Sequence, residues 1–201
     1  HGYYTISQKH HILSLAVEDS VVARRIFTLL RQAGVSAPVI VRQQGKQLQK
    51  NVYMVQVHGR DQIDALLVFL DLKEAGHQLS FFRRFSAVPR RPCCRKAFLR
   101  GAFLAGGSMS VSRKSGYHLE INGGDPDNAE VYEEMLSQFG LKPLKRIRKG
   151  NVYFYYKNAE AVADFLRVIG AGSSLLQFES QRVVKSMRNQ VNRLVNCETA
   201  N

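Results

Sequence analysis

Leu99-Arg100-Gly101-Ala102-Phe103-Leu104-Ala105-Gly106-Gly107 reads as the last turns of a helix built for close packing. Gly101, Ala102 and Ala105 carry almost no side chain on one stretch of helix surface, so a second helix can approach backbone to backbone. Gly106 and Gly107 then end the helix, as glycine does at C-termini. The spacing predicts a helix from about Cys93 to Gly106.

Outward from this helix the chain repeats itself, and a repeat constrains the fold more than any local signal. His1-Gly2-Tyr3-Tyr4-Thr5-Ile6-Ser7 near the start is answered by Gly106-Gly107-Ser108-Met109-Ser110-Val111-Ser112, with Gly2 and Gly107 at an offset of 105. Asn51-Val52-Tyr53 returns as Asn151-Val152-Tyr153, at an offset of 100, which fits a shorter hairpin in the second copy. Alternating residues predict strands at Tyr3–Ser7, His11–Val17, Met109–Ser112 and Tyr117–Asn122, and again at Val39–Gln44, Val52–His58, Leu144–Arg148 and Val152–Lys157. Asp19-Ser20 and Asp125-Pro126-Asp127 open helices that close at Gly34 and Gly140. Helices at Asp61–Leu72 and Ala159–Ile169 complete the two units, and a last helix is expected over Glu179–Val195. The fold class is α/β (α+β), a pseudo-two-fold repeat of helix-strand-strand-helix-strand-strand-helix. Its parts are a first repeat over 1–75 with its leading helix mostly missing, a linker over 76–92, a second repeat over 93–177, and a C-terminal helix over 178–201. The chain opens at His1 rather than methionine, which reads as a piece of a longer protein.

The composition is that of a globular protein, and no apolar run approaches the roughly 20 residues a membrane crossing needs. Twenty-nine Lys and Arg against sixteen Asp and Glu give a net charge of +13, a field that favours polyanions, nucleic acid first among them. Cys93, Cys94 and Cys197 are odd in number with an adjacent pair, which suggests a reducing cytoplasm, and Cys93-Cys94 lacks zinc-clip spacing and reads as small buried side chains at a helix start. The paired glycines have no phosphate-loop context, and no nucleophile triad is spaced for catalysis. Glu120 and Asp125 read as a surface acid and a helix cap. No catalytic residue, metal ligand or cofactor is expected.

Basic residues gather in the outer hairpin of each copy. Lys145, Arg146, Arg148, Lys149 and Lys157 lie along one, and Arg42, Lys46 and Lys50, among four glutamines, along the other; Arg113 and Lys114 add a third basic turn. A single lysine there is most simply a solvated tip. The recurrence in both copies argues for contact with DNA, phosphates being met by Lys and Arg and base edges by Arg and Gln. A further basic run, Arg83 to Arg100, interleaves with Phe81, Phe82 and Phe85, which read as core anchors for the linker with the arginines bracing the DNA-facing surface.

The Leu99–Gly107 stretch resembles a LAGLIDADG motif, in which the helix ends in an acidic residue followed by glycine. Gly106 stands at the acidic position, and His1 at the equivalent place before Gly2 in the first copy. The resemblance implies two saddle-forming antiparallel sheets, with the helices meeting through Gly101, Ala102 and Ala105. Nucleases of that type hold divalent cations with one carboxylate from each motif, and neither motif position here supplies one. The strings Cys93–Ser108 and Val191–Asn201, with Ala23–Leu30, Tyr117–Ile121 and Met187–Leu194, are similar to bacterial WhiA proteins over essentially the whole chain. That likeness implies a transcription regulator tied to sporulation, cell division and chromosome segregation, in which a degenerate LAGLIDADG domain precedes a helix-turn-helix domain. It implies promoter DNA or another regulatory protein as partner, a monomer, no membrane, and a place in the cytoplasm at the nucleoid. Two rival readings remain, a protein-interaction module and an active metal-dependent endonuclease.

Overall fold

A computed structural model describes residues 2–6, 11–44, 50–70, 91–112 and 116–199. The chain divides into two units, His1–Ser86 and Ala87–Asn201. Unit one runs β1 (Gly2–Ile6), β2 (His11–Val17), α1 (Ser20–Gln32), β3 (Val39–Gln44), β4 (Lys50–His58) and α2 (Arg60–Phe69). Unit two runs α3 (Pro92–Gly106), β5 (Gly107–Ser112), β6 (Gly116–Asn122), α4 (Pro126–Ser137), β7 (Leu144–Arg148), β8 (Asn151–Tyr156), α5 (Ala159–Val168) and α6 (Gly172–Thr199). Each unit contains one four-stranded antiparallel sheet, ordered β1-β2-β4-β3 and β5-β6-β8-β7.

The helices start where their caps dictate. The Asp19 carboxylate accepts from the Val21 and Val22 N–H groups at 2.7 and 3.3 Å, and Asp125 accepts from the Asn128 N–H at 2.9 Å. Each such cap is worth about 1 kcal/mol. Gly34 and Gly140, with φ of 76° and 72°, take the left-handed conformation that closes α1 and α4. One face of each sheet is packed under helices. In unit two Leu119, Ile121, Phe154 and Tyr156 meet Leu99 of α3, Met135 and Leu136 of α4, and Phe165 of α5, all buried. In unit one Val55 and Val57 meet Ala23 and Leu30 of α1 and Ile63 and Leu66 of α2.

Three expectations change. The last helix begins at Gly172 rather than near residue 178. Gly170 (φ 72°) closes α5, and the Leu175 N–H already donates to the Ala171 carbonyl at 2.8 Å. Burial of Phe178 against the Tyr117 ring, 5.4 Å between centroids, anchors this first part of α6. Cys93 and Cys94 are exposed, not buried; Leu99 takes the core side of α3.

The third concerns the repeat. Tyr53 lies on the helix side of its sheet with Val55 and Val57, whereas Tyr153 lies on the side opposite to Val152, Phe154 and Tyr156. A one-residue slip turns every side chain to the other face, so the two Asn-Val-Tyr strings are not equivalent. Leu15 pairs with Val55 as Ile121 pairs with Phe154, which sets the offset in β4 and β8 at 99. In β2 and β3 it is 106, so the shortening does fall in the second hairpin.

Candidate nucleic-acid interface

The face of the unit-two sheet away from the helices carries polar and aromatic side chains. Register places Ser108, Glu120, Tyr155 and Leu144 in one row across it, and Asn122, Tyr153 and Arg146 in the next, with Arg148 opposite Asn151 at the hairpin end. Lys149 and Gly150 make the two-residue turn, with φ of 50° and 78°, as a type I′ hairpin requires. Ser108, Arg146, Arg148, Lys149 and Lys157 are exposed, and Tyr153 and Tyr155 half-buried.

This face is knit by charge and rings. The Arg146 guanidinium donates to the Glu120 carboxylate and lies 5.9 and 5.8 Å from the centroids of Tyr153 and Tyr155. Lys157 Nζ stands 5.5 Å from the Tyr155 ring. His118 Nε2 is 3.4 Å from Glu120, and its ring lies 5.8 Å from that of Tyr155. Glu120 is therefore no free surface acid: its side chain is only 14% exposed. Sequence reading missed this cluster because its partners are 26 residues apart. Alternation along β6 was the one signal available, since it puts His118 and Glu120 on the same side.

The basic hairpin is not one surface. Lys145 pairs with Phe154 in the register, which turns it to the helix side, where it meets Glu133 of α4 at 2.5 Å. It stands apart from Arg146 and Arg148. In unit one Arg42 pairs with Val52, the register position that Arg148 occupies in unit two. The side chains of Arg42 and Lys50, and Lys46, Arg113, Lys114 and His1 altogether, lie outside the described residues, as does the run from Phe81 to Arg90. Arg100, expected to brace the DNA-facing surface, donates from Nε to the Ile169 carbonyl at 2.6 Å, tying α3 to the end of α5. Lys96 stands 5.8 Å from the Phe139 ring.

The small-residue helix ends as expected, with Gly106 the last residue of α3 and Gly107 the first of β5. A Cβ on Gly107 would lie 2.2 Å from the Phe103 ring and 2.6 Å from its carbonyl oxygen, so this glycine is sterically required. Gly101 and Ala105 are exposed, and a Cβ on Gly101 would meet nothing within 4 Å. Gly2 opens β1 opposite Leu15 as Gly107 opens β5 opposite Ile121, so the two glycines are true equivalents. The divalent cation of a LAGLIDADG nuclease needs carboxylate oxygens at the helix end, and Gly106 offers no side-chain donor. Among the described residues no three of His, Cys, Asp and Glu come together. The described end of α3 therefore offers that metal no carboxylate.

Two four-stranded antiparallel sheets, each packed on helices and entered from a Gly-ended helix in unit two, define a LAGLIDADG homing-endonuclease-like fold. The N-terminal LAGLIDADG domain of DUF199/WhiA superposes with a TM-score of 0.59 at 22% identity, over 84% of this chain and 74% of that one. The homing endonuclease I-DmoI, solved in complex with DNA and Mn, gives 0.55 at 13% identity, over 84% and 87%. The WhiA N-terminal LAGLIDADG-like domain model matches residues 1–72 and the WhiA LAGLIDADG-like domain model residues 95–188. The chain belongs to the WhiA family. It is 41% identical to a protein of Bacillus subtilis and 40% identical to one of Oceanobacillus iheyensis, each named as a probable cell division protein WhiA and each matched over 100% of this chain. The chain spans 63% of the length of these relatives. No described helix is long and apolar enough to cross a membrane.

Proposed function

We propose that this chain is the homing-endonuclease-like part of a bacterial DNA-binding regulator of transcription, linked to sporulation, cell division and chromosome segregation, and that it binds duplex DNA without cutting it. The observation that carries the reading is the tip of the β7–β8 hairpin. Arg148 and Lys149 are exposed there, have no acidic partner among the described residues, and adjoin a polar, aromatic face on a chain of net charge +13. Antiparallel strand pairs fit the width of a major groove. I-DmoI, of the same fold, was crystallised with DNA. Absence of a side-chain donor at Gly106 supports binding without hydrolysis. On this reading the protein acts as a monomer in the cytoplasm, at the nucleoid, with promoter DNA as its partner.

Salt-titrated binding of the chain to a duplex tests it. Affinity should fall with a log-log slope of about −0.9 per neutralised phosphate, and reversing Arg148 and Lys149 to glutamate should flatten the slope. Supercoiled plasmid with magnesium should stay intact; nicking would restore the endonuclease reading. The rival, a module that docks another regulatory protein, draws on Met187, Val191 and Leu194, which lie exposed along α6. DNA affinity indifferent to salt would favour it.

A further inference from the structure

The Glu120–Arg146 cluster is present in one copy of the repeat only. By register, the unit-one positions that match Glu120, Arg146, Tyr153 and Tyr155 are Ser14, Ile40, Met54 and Gln56. There the Gln56 amide donates to the Ser14 hydroxyl at 3.0 Å, and no charge is involved. The fold therefore does not require a carboxylate and a guanidinium at these points. A partly exposed ion pair also adds little stability, so stability does not account for it.

The geometry does account for a fixed arginine. A guanidinium has five N–H donors in a rigid plane. Glu120, itself largely buried, takes one guanidinium nitrogen, and the guanidinium carbon lies within cation–π distance of both Tyr153 and Tyr155. Arg146 nevertheless keeps 45% of its side chain exposed, and Glu120 engages only one of its nitrogens. An arginine so held gives up little freedom on binding and presents two donors at a set angle, which is what the O6 and N7 acceptors of guanine take in a major groove. Arg148 and Lys149, exposed at the hairpin tip with no acidic partner among the described residues, are the contrasting case of solvated charges suited to phosphates.

We propose that Glu120 is a positioning residue that fixes Arg146 to read a guanine edge, while Arg148 and Lys149 supply backbone attraction. This rests on the DNA-binding reading above.

The test selects duplexes from a randomised library with the wild-type chain. It then compares affinity for the enriched duplex and for a shuffled duplex of equal composition, across salt concentrations. Glu120→Gln and Arg146→Lys should each lower the preference for the enriched duplex about tenfold. Their salt slopes should stay at the wild-type value, because no phosphate contact is lost. Glu120→Gln should bind the shuffled duplex at least as well as wild type, having lost a negative charge. Arg148→Glu should do the reverse, flattening the slope and leaving the preference. The proposal is overturned if Glu120→Gln folds and keeps the wild-type preference, or if its slope steepens by about one phosphate, which would make Glu120 a brake on a phosphate contact. Should Glu120→Gln melt early, Arg146→Lys, which keeps the charge, decides: an unchanged preference sinks the assignment. A wild-type chain that binds no DNA at all removes the DNA reading itself, an outcome distinct from either.

Discussion

Tyr156 is buried on the helix side of β8, and its hydroxyl has no hydrogen-bond partner among the described residues. A buried unpaired hydroxyl costs stability, so Tyr156→Phe should match or exceed wild type by up to about 1 kcal/mol at neutral pH in urea unfolding. Burial also pushes the phenol well above its usual value of 10, as it does to a lesser degree for Tyr132. The folded state favours the neutral phenol, so its contribution is full below about pH 10 and is lost as pH rises beyond that. The variant should therefore gain on wild type between pH 10 and 12; a loss above 2 kcal/mol at pH 7 would mean the hydroxyl is bonded after all. Gly107 is the opposite case. Because a Cβ there overlaps both the ring and the carbonyl of Phe103, Gly107→Ala should cost about 2–3 kcal/mol, whereas Gly101→Ala, with open space around it, should cost none and could raise helix stability. Equal melting temperatures for the two would refute the steric argument.

The hairpin β7–β8 sets turn geometry against charge. Lys149 adopts a left-handed backbone that asparagine and glycine accept more readily. Lys149→Asn should raise unfolding free energy by about 0.5–1 kcal/mol and, on the proposed interface, reduce the DNA salt slope by about 0.9. Chemical denaturation and salt titration on one preparation check both; a variant that gains stability and keeps the full slope removes Lys149 from the interface. The elements themselves were legible from local signals. Asp19, Asp125 and Asn158 cap α1, α4 and α5, and alternation found each strand to within two residues among those described. What local signals could not supply was the third dimension. Lys145 and Arg146 are neighbours in sequence and opposites in space, and only pairing with Phe154 and Tyr153 reveals which side each takes. The repeated Asn-Val-Tyr misled for the same reason, since identity of letters says nothing about which way a pleat points. Glu120 looked like a solvated acid because its guanidinium partner arrives from another strand.

At the scale of the molecule, one sheet is repeated with unlike outer faces. In unit two Glu120, Arg146, Tyr153 and Tyr155 make a charged, aromatic surface; in unit one Ser14, Met54 and Gln56 are buried. The matching registers keep the same pairing scheme in both copies, while the residues on the face away from the helices differ. A dimer of identical subunits reads inverted half-sites because its two faces are the same. A single chain whose faces differ has no such obligation: sequences selected by this protein should lack dyad symmetry, and inverting the preferred site should change which flank is protected from nuclease. Recovery of a perfect palindrome would contradict this. On the proposed DNA-binding reading, the loss of likeness between the copies would give the protein a head and a tail on DNA, and with them a polarity relative to any gene beside its site.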